Sequence, residues 1–140
     1  MKAKSKVYKI SIPSNISKII EVEQFSEKIA DLANFSEEDK DNLAIAVTEA
    51  VNNAIIHGNR YNESKKVFVT FYIIDRGVKV SVKDEGGGFD PDKIDNPLLP
   101  ENLLKEHGRG IFILKSLMDE IEFKFSNTGT EILMTKYKTV

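Results

Sequence analysis

Glu49-Ala50-Val51-Asn52-Asn53-Ala54-Ile55-Ile56-His57-Gly58-Asn59 closes a helical pattern around which the rest of the chain arranges itself. Ser36, with Asp39 three residues on, has the spacing of a capping box, and Glu37, Glu38 and Asp39 suit the positive end of a helix dipole. Leu43, Val47, Ala50 and Ala54 then recur at i, i+4, i+7 and i+11, one apolar face turned to a core. Gly58 reads as the C-terminal glycine of this helix. Glu49 and Asn53 lie one turn apart, so their side chains point the same way, and His57 continues the row. On the helix alone, that row is either a solvated flank or a site at the edge of the core.

Length and composition restrict what surrounds this helix. The chain has 140 residues, 41% hydrophobic and 30% charged, which suits one globular domain. A formal net charge of -2 gives no broad basic surface for nucleic acid, and Lys2, Lys4, Lys6 and Lys9 read as a solvated terminus. Cysteine is absent, which excludes disulfides and thiolate metal sites. No apolar run is long enough to span a membrane, and Pro13 and Ser14 interrupt any signal-peptide core, so a cytoplasmic protein is expected.

Val7 to Ile12 alternates as a first strand. A helix opened by Asn15 or Ser17 runs on to about Asn34, with Ile19, Val22, Phe25, Ile29 and Leu32 inward. Beyond the central helix, Val67, Val69 and Phe71 mark a strand, Asp75-Arg76-Gly77 a hairpin turn, and Val78, Val80 and Val82 the returning strand. Residues 85 to 107 carry little periodicity but three prolines, Pro91, Pro97 and Pro100, as a functional lid would. Arg109 to Met118 reads as a helix with Ile111, Leu114 and Met118 inward. Ile121 to Phe125 and Glu131 to Tyr137 read as strands around a turn at Asn127 to Gly129. The order β-α-α-β-β-lid-α-β-β, with hairpin-linked strands and one-sided helices, predicts a two-layer α/β sandwich with a mixed, mainly antiparallel sheet.

Two glycine clusters flank the lid. Asp84-Glu85-Gly86-Gly87-Gly88 comes directly after a strand, where the glycines let the backbone approach a ligand and Asp84 can accept from an amino group such as adenine's; an acidic turn is the plainer reading. Gly108-Arg109-Gly110 precedes an apolar helix, whose N-terminal amides form an anion site; alone it could equally be the hinge of the lid.

Taken in order, Glu49-x-x-x-Asn53, Asp84-x-Gly86-x-Gly88 and Gly108-x-Gly110 resemble the N, G1 and G2 boxes of the GHKL ATPases, whose ATP-binding domain has the Bergerat fold. Within that superfamily the chain is most similar to the small bacterial anti-sigma-factor serine kinases. Leu117-Met118-Asp119-Glu120 and Gly129-Thr130 add to this likeness, which covers nearly the whole chain as a single domain, 1–140. The resemblance implies that Asn53 ligates Mg²⁺ and that Asp84 binds the adenine amino group, backed by Thr130 through a water. It further implies that Gly86 and Gly88 admit the nucleotide, that Gly108, Arg109 and Gly110 cradle the phosphates of ATP, and that Glu49 acts as the catalytic base. With no Walker-type lysine, Arg109 and Lys105 are left to help balance the phosphate charge. Asn52 stands where the family commonly has threonine, but helical spacing from Glu49 favours Asn53 as the ligand. Similarity also implies a homodimer that sequesters a sigma factor and phosphorylates a serine of an anti-sigma-factor antagonist. The alternatives are a non-enzymatic, ATP-dependent binding module of the same fold, or a kinase of the same family with a different target.

Overall fold

The computed structural model describes residues 6–86 and 109–139. Of the lid expected over residues 85 to 107, everything beyond Gly86 lies outside the described residues, as do Lys105 and two of the expected site glycines, Gly88 and Gly108. The strands are β1 (Lys6–Pro13), β2 (Lys66–Ile74), β3 (Gly77–Lys83), β4 (Glu120–Ser126) and β5 (Gly129–Tyr137). They form one sheet in the order β1-β2-β3-β5-β4, and each described pairing is antiparallel. Register is set by alternation. Val67, Val69 and Phe71 of β2 and Val78, Val80 and Val82 of β3 are buried on one face, with Ile132 and Met134 of β5 beside them.

That face carries α1 (Ile19–Leu32), α2 (Glu37–Asn53) and α3 (Arg109–Leu117). The second layer exists because each helix has a single apolar stripe that must be covered. Leu43, Val47, Ala50 and Val51 of α2 are fully buried in the same cluster as Val22 and Ile29 of α1 and Leu114 of α3. Leu32 departs from the expected inward row and is 56% exposed. The buried row of α1 runs through Val22, Ser26, Ile29 and on to Ala33, and Leu32 falls one residue, about 100° around the axis, away from it. Among the described residues no helix is long and apolar enough to cross a membrane.

Both ends of α2 differ in detail from the sequence expectation. Ser36 Oγ does accept the Asp39 N–H at 3.1 Å, as an N-cap should. The Asp39 carboxylate, however, reaches 100 residues along the chain, taking the Thr139 N–H and hydroxyl at 2.8 Å each. At the other end the helix does not stop at a left-handed glycine. It continues through a π turn, Ala54–Gly58, closed by the Asn59 N–H on the Ala54 carbonyl at 2.8 Å. The left-handed residues that end it are Arg60 and Tyr61 (φ 51° and 61°). Gly58 therefore serves space rather than turning.

Candidate functional site

The space is taken by Asp84. A Cβ on Gly58 would lie 2.1 Å from Asp84 Oδ2, so only glycine lets the end of α2 approach the carboxylate at the end of β3. Gly86 is bound by the same packing, since its Cβ would stand 2.3 Å from the Gly58 carbonyl oxygen. On the far side Gly129, at φ 148°, lies against the Asp84 backbone. Asp84 is 5% exposed, and its Oδ1 accepts the N–H groups of Gly86 (3.0 Å) and Thr130 (3.1 Å). The contact the structure gives Thr130 here is thus through its backbone. Burial raises the Asp84 pKa above the usual carboxylate range, against the opposing pull of those two N–H groups and of Lys65.

Glu49 and Asn53 meet a second partner. A Cβ built on Gly110, in the first turn of α3, would lie 2.6 Å from Glu49 Oε1 and 3.0 and 3.2 Å from the two amide atoms of Asn53. The carboxylate and the carboxamide therefore converge on one point beside the start of α3. Asn53 is 5% exposed, and its Nδ2 has no hydrogen-bond partner among the described residues. A buried, unpaired amide costs free energy unless something else completes it. The donor chemistry suits Mg²⁺, which takes hard oxygens and keeps most of its shell for water and phosphate. An amide presents an oxygen at the open position after a half-turn of its plane. No group of three or more acidic, histidine or cysteine side chains that could cage a metal occurs among the described residues.

The two halves share α2. Gly58 lies five residues beyond Asn53, about 7 Å along the axis, so a ligand held at Asp84 can extend along the helix to Asn53. A cavity of about 550 Å³ also touches Asp84, with Phe68, Lys83, Glu85, Gly86 and Thr128 in its wall. Phe68 and Lys83 are paired across β2 and β3 on the face away from the helices. That cavity does not include Glu49, Asn53 or Gly110 and meets the site only at the Asp84 turn.

The chain that carries these residues is similar to known proteins. The model of the histidine kinase-like ATPase domain matches residues 12–136. The chain belongs to that family. It is similar to the serine-protein kinase RsbW of Bacillus velezensis, 35% identical over 117 residues that make up 78% of this chain and 71% of the relative. RsbW of Oceanobacillus iheyensis is 33% identical over 115 residues, covering 78% and 72%. RsbW of Staphylococcus aureus is 28% identical over 144 aligned positions, covering 98% and 90%. Among solved structures, the RsbU and RsbW domains of a Mycobacterium tuberculosis protein superpose with a TM-score of 0.69 at 18% identity. There the match covers 94% of this chain and 32% of that one. The catalytic domain of the histidine kinase ThkA gives 0.51 at 19% identity, covering 98% and 97%. These two establish the shared fold.

Of the residues singled out in the sequence, the structure brings Glu49, Asn53 and Gly110 to one place and Asp84, Gly86 and Thr130 to another. Arg109 begins α3 by its backbone. Two residues escape a reading of the sequence. Gly58 looks like a helix stop, and only the fold shows the carboxylate against it. Asn59, 2% exposed, looks like loop polarity, yet its side chain bonds Ser14, Lys66 and Glu85.

Proposed function

We propose that this histidine kinase-like ATPase domain is an ATP-dependent serine protein kinase. The observation that carries the reading is the convergence of Glu49 and the unpaired Asn53 amide on the first turn of α3. Asp84 accepts the adenine amino group, with Gly58, Gly86 and Gly129 letting the backbone pack closely around its carboxylate. Gly88 is assigned to the same close approach. The phosphates are assigned to the amides that open α3, with Gly108, Arg109 and Gly110 as the cradle and Arg109 as the added charge. Asn53 would hold Mg²⁺, which supplies charge neutralisation at the phosphate oxygens. Glu49 orients the attacking seryl hydroxyl and takes its proton as the new P–O bond forms and the bond to the ADP oxygen breaks.

The acceptor we propose is a serine on an anti-sigma-factor antagonist, and the chain, as a cytoplasmic homodimer, sequesters a sigma factor when the antagonist is phosphorylated. A dianionic phosphate in a packed interface weakens the antagonist's grip and so switches partners. The name that the relatives share, serine-protein kinase, supports the reaction class. The test is transfer of labelled γ-phosphate to serine on a candidate antagonist by wild type and by Glu49→Gln, beside a nucleotide titration. Near-normal ATP binding with transfer reduced about 10²–10⁴-fold is expected, the usual worth of a general base. Full transfer by the variant would reject Glu49 as the base. Binding of ATP by the wild type without transfer would make the domain a regulatory binding module.

A further inference from the structure

We infer that Asn59 is a positioning residue for adenine recognition, an inference that rests on the nucleotide reading above. Its amide is buried beneath the Asp84 turn, and every polar atom is used. Oδ1 accepts the Glu85 N–H at 2.8 Å, while Nδ2 donates to Ser14 Oγ at 2.8 Å and to the Lys66 carbonyl at 3.0 Å. The partners lie 26, 45 and 7 residues away, so one side chain joins the end of β1, the start of β2 and the turn after β3. Ser14 Oγ in turn donates to the Lys65 carbonyl at 2.7 Å, and the Glu85 carboxylate accepts the Lys66 N–H at 2.6 Å, closing the network.

Its bearing on Asp84 is direct. The turn is held on one side by β5, where the Asp84 N–H bonds the Thr130 carbonyl at 3.0 Å. On the other side the backbone of Glu85 is held by Asn59, and the next N–H, that of Gly86, points at Asp84 Oδ1. Releasing Glu85 would free Gly86 to leave the Gly58 carbonyl on which it packs, and with it one of the two N–H groups that orient the carboxylate. The π turn is the means of delivery. Its extra residue rotates the chain beyond it by about 100° relative to an unbroken α-helix, and Asn59 is the residue that closes it.

Such a residue should govern selectivity between purines more than the metal response. A carboxylate aimed at the purine 6-position accepts from adenine's amino group and repels guanine's carbonyl. Asn59→Ala is expected to weaken Mg-ATP binding roughly tenfold, the worth of about one buried hydrogen bond, and to leave Mg-GTP binding within about threefold. The ATP/GTP preference therefore falls while the tightening by Mg²⁺ persists. Asn59→Asp keeps an acceptor for the Glu85 N–H and should restore the preference despite lower stability. Ser14→Ala, which loosens the same network without touching Glu85, should lower the melting temperature and leave the preference alone. An unchanged preference in Asn59→Ala, or an equal loss in Ser14→Ala, would overturn the inference. If Asn59→Ala does not fold, amide exchange in wild type decides: protection of the Glu85 N–H comparable to strand amides supports it, and loop-like exchange overturns it. Failure of the wild type to bind ATP would instead overturn the nucleotide reading itself.

Discussion

Two aspartates are buried among the described residues, and they are treated in opposite ways. Asp39, 2% exposed, sits in the first turn of α2 with both carboxylate oxygens occupied by Thr139, and Lys136 Nζ stands 3.9 Å away. Burial pushes its pKa up, but the hydrogen bonds from Thr139, the charge of Lys136 and Ser36 outweigh it, and the value ends below the usual one. Asp84, 5% exposed, has two backbone N–H groups on one oxygen and a glycine against the other, and its pKa ends raised. One carboxylate ties the end of the chain to a helix. The other takes two N–H groups on one oxygen, and burial leaves its pKa raised. A buried charge is thus informative by what its second oxygen faces.

The sharpest way to break that contrast is through the ligand. Asp84→Asn keeps an acceptor for Gly86 and Thr130 but turns the remaining atom from acceptor to donor, so ATP affinity should fall by about 1–3 kcal/mol, the range for a charge-assisted hydrogen bond. Calorimetry giving the wild-type affinity would remove Asp84 from the nucleotide site. Folding stability at neutral pH should not fall in the same variant, because an ionised group that burial disfavours has been removed.

Asp39→Ala should do the reverse. Losing two hydrogen bonds and a cation's partner is expected to lower stability by roughly 1–2 kcal/mol in urea unfolding, with ATP affinity little changed. An equal loss of nucleotide binding would mean that the clamp on the start of α2 also sets the site at its end.

The smallest effect is the most diagnostic, since the two groups should drift with pH in opposite directions. Asp39, its folded pKa lowered, contributes stability that is full above the unfolded value near 3.8 and is lost as pH falls through the folded value. Asp84, its folded pKa raised, carries a penalty that is full above the folded value and vanishes below about 3.8. Unfolding curves should therefore show any surplus of Asp84→Asn shrinking as the pH falls towards about 3.8, while the deficit of Asp39→Asn holds down to about 3.8 and shrinks only below it. Two deficits would show that the Asp84 carboxylate is stabilising after all.

Much of this was legible in the sequence where the signal is local. The strand alternation at Val67, Val69 and Phe71, the Ser36 cap and the one-turn spacing of Glu49 and Asn53 each need only a few neighbouring residues to be read. What failed to show was set by contacts distant along the chain. Gly58 resembles a helix stop until Asp84, 26 positions on, is placed against it. Asp39 looks like half of a capping box because its partner is Thr139. Asn59 gives no signal at all, since a polar residue after a helix is ordinary, and its meaning lies in three separate segments. Leu32 misled for a subtler reason: an apolar residue at helical spacing can still fall off the buried row when small alanines fill it.

A regular helix is a ruler with one phase, and everything aligned to it must share that phase. The five-residue π turn at Ala54–Gly58 gives α2 two. Glu49 and Asn53 are set to the mark that meets α3, and Gly58 and Asn59 to a mark advanced by one residue, which meets the end of the sheet. Deleting a single residue from that turn would leave a better helix and a chain of almost the same composition. It would also put the two halves of the site out of step, which is why the irregular turn is worth keeping.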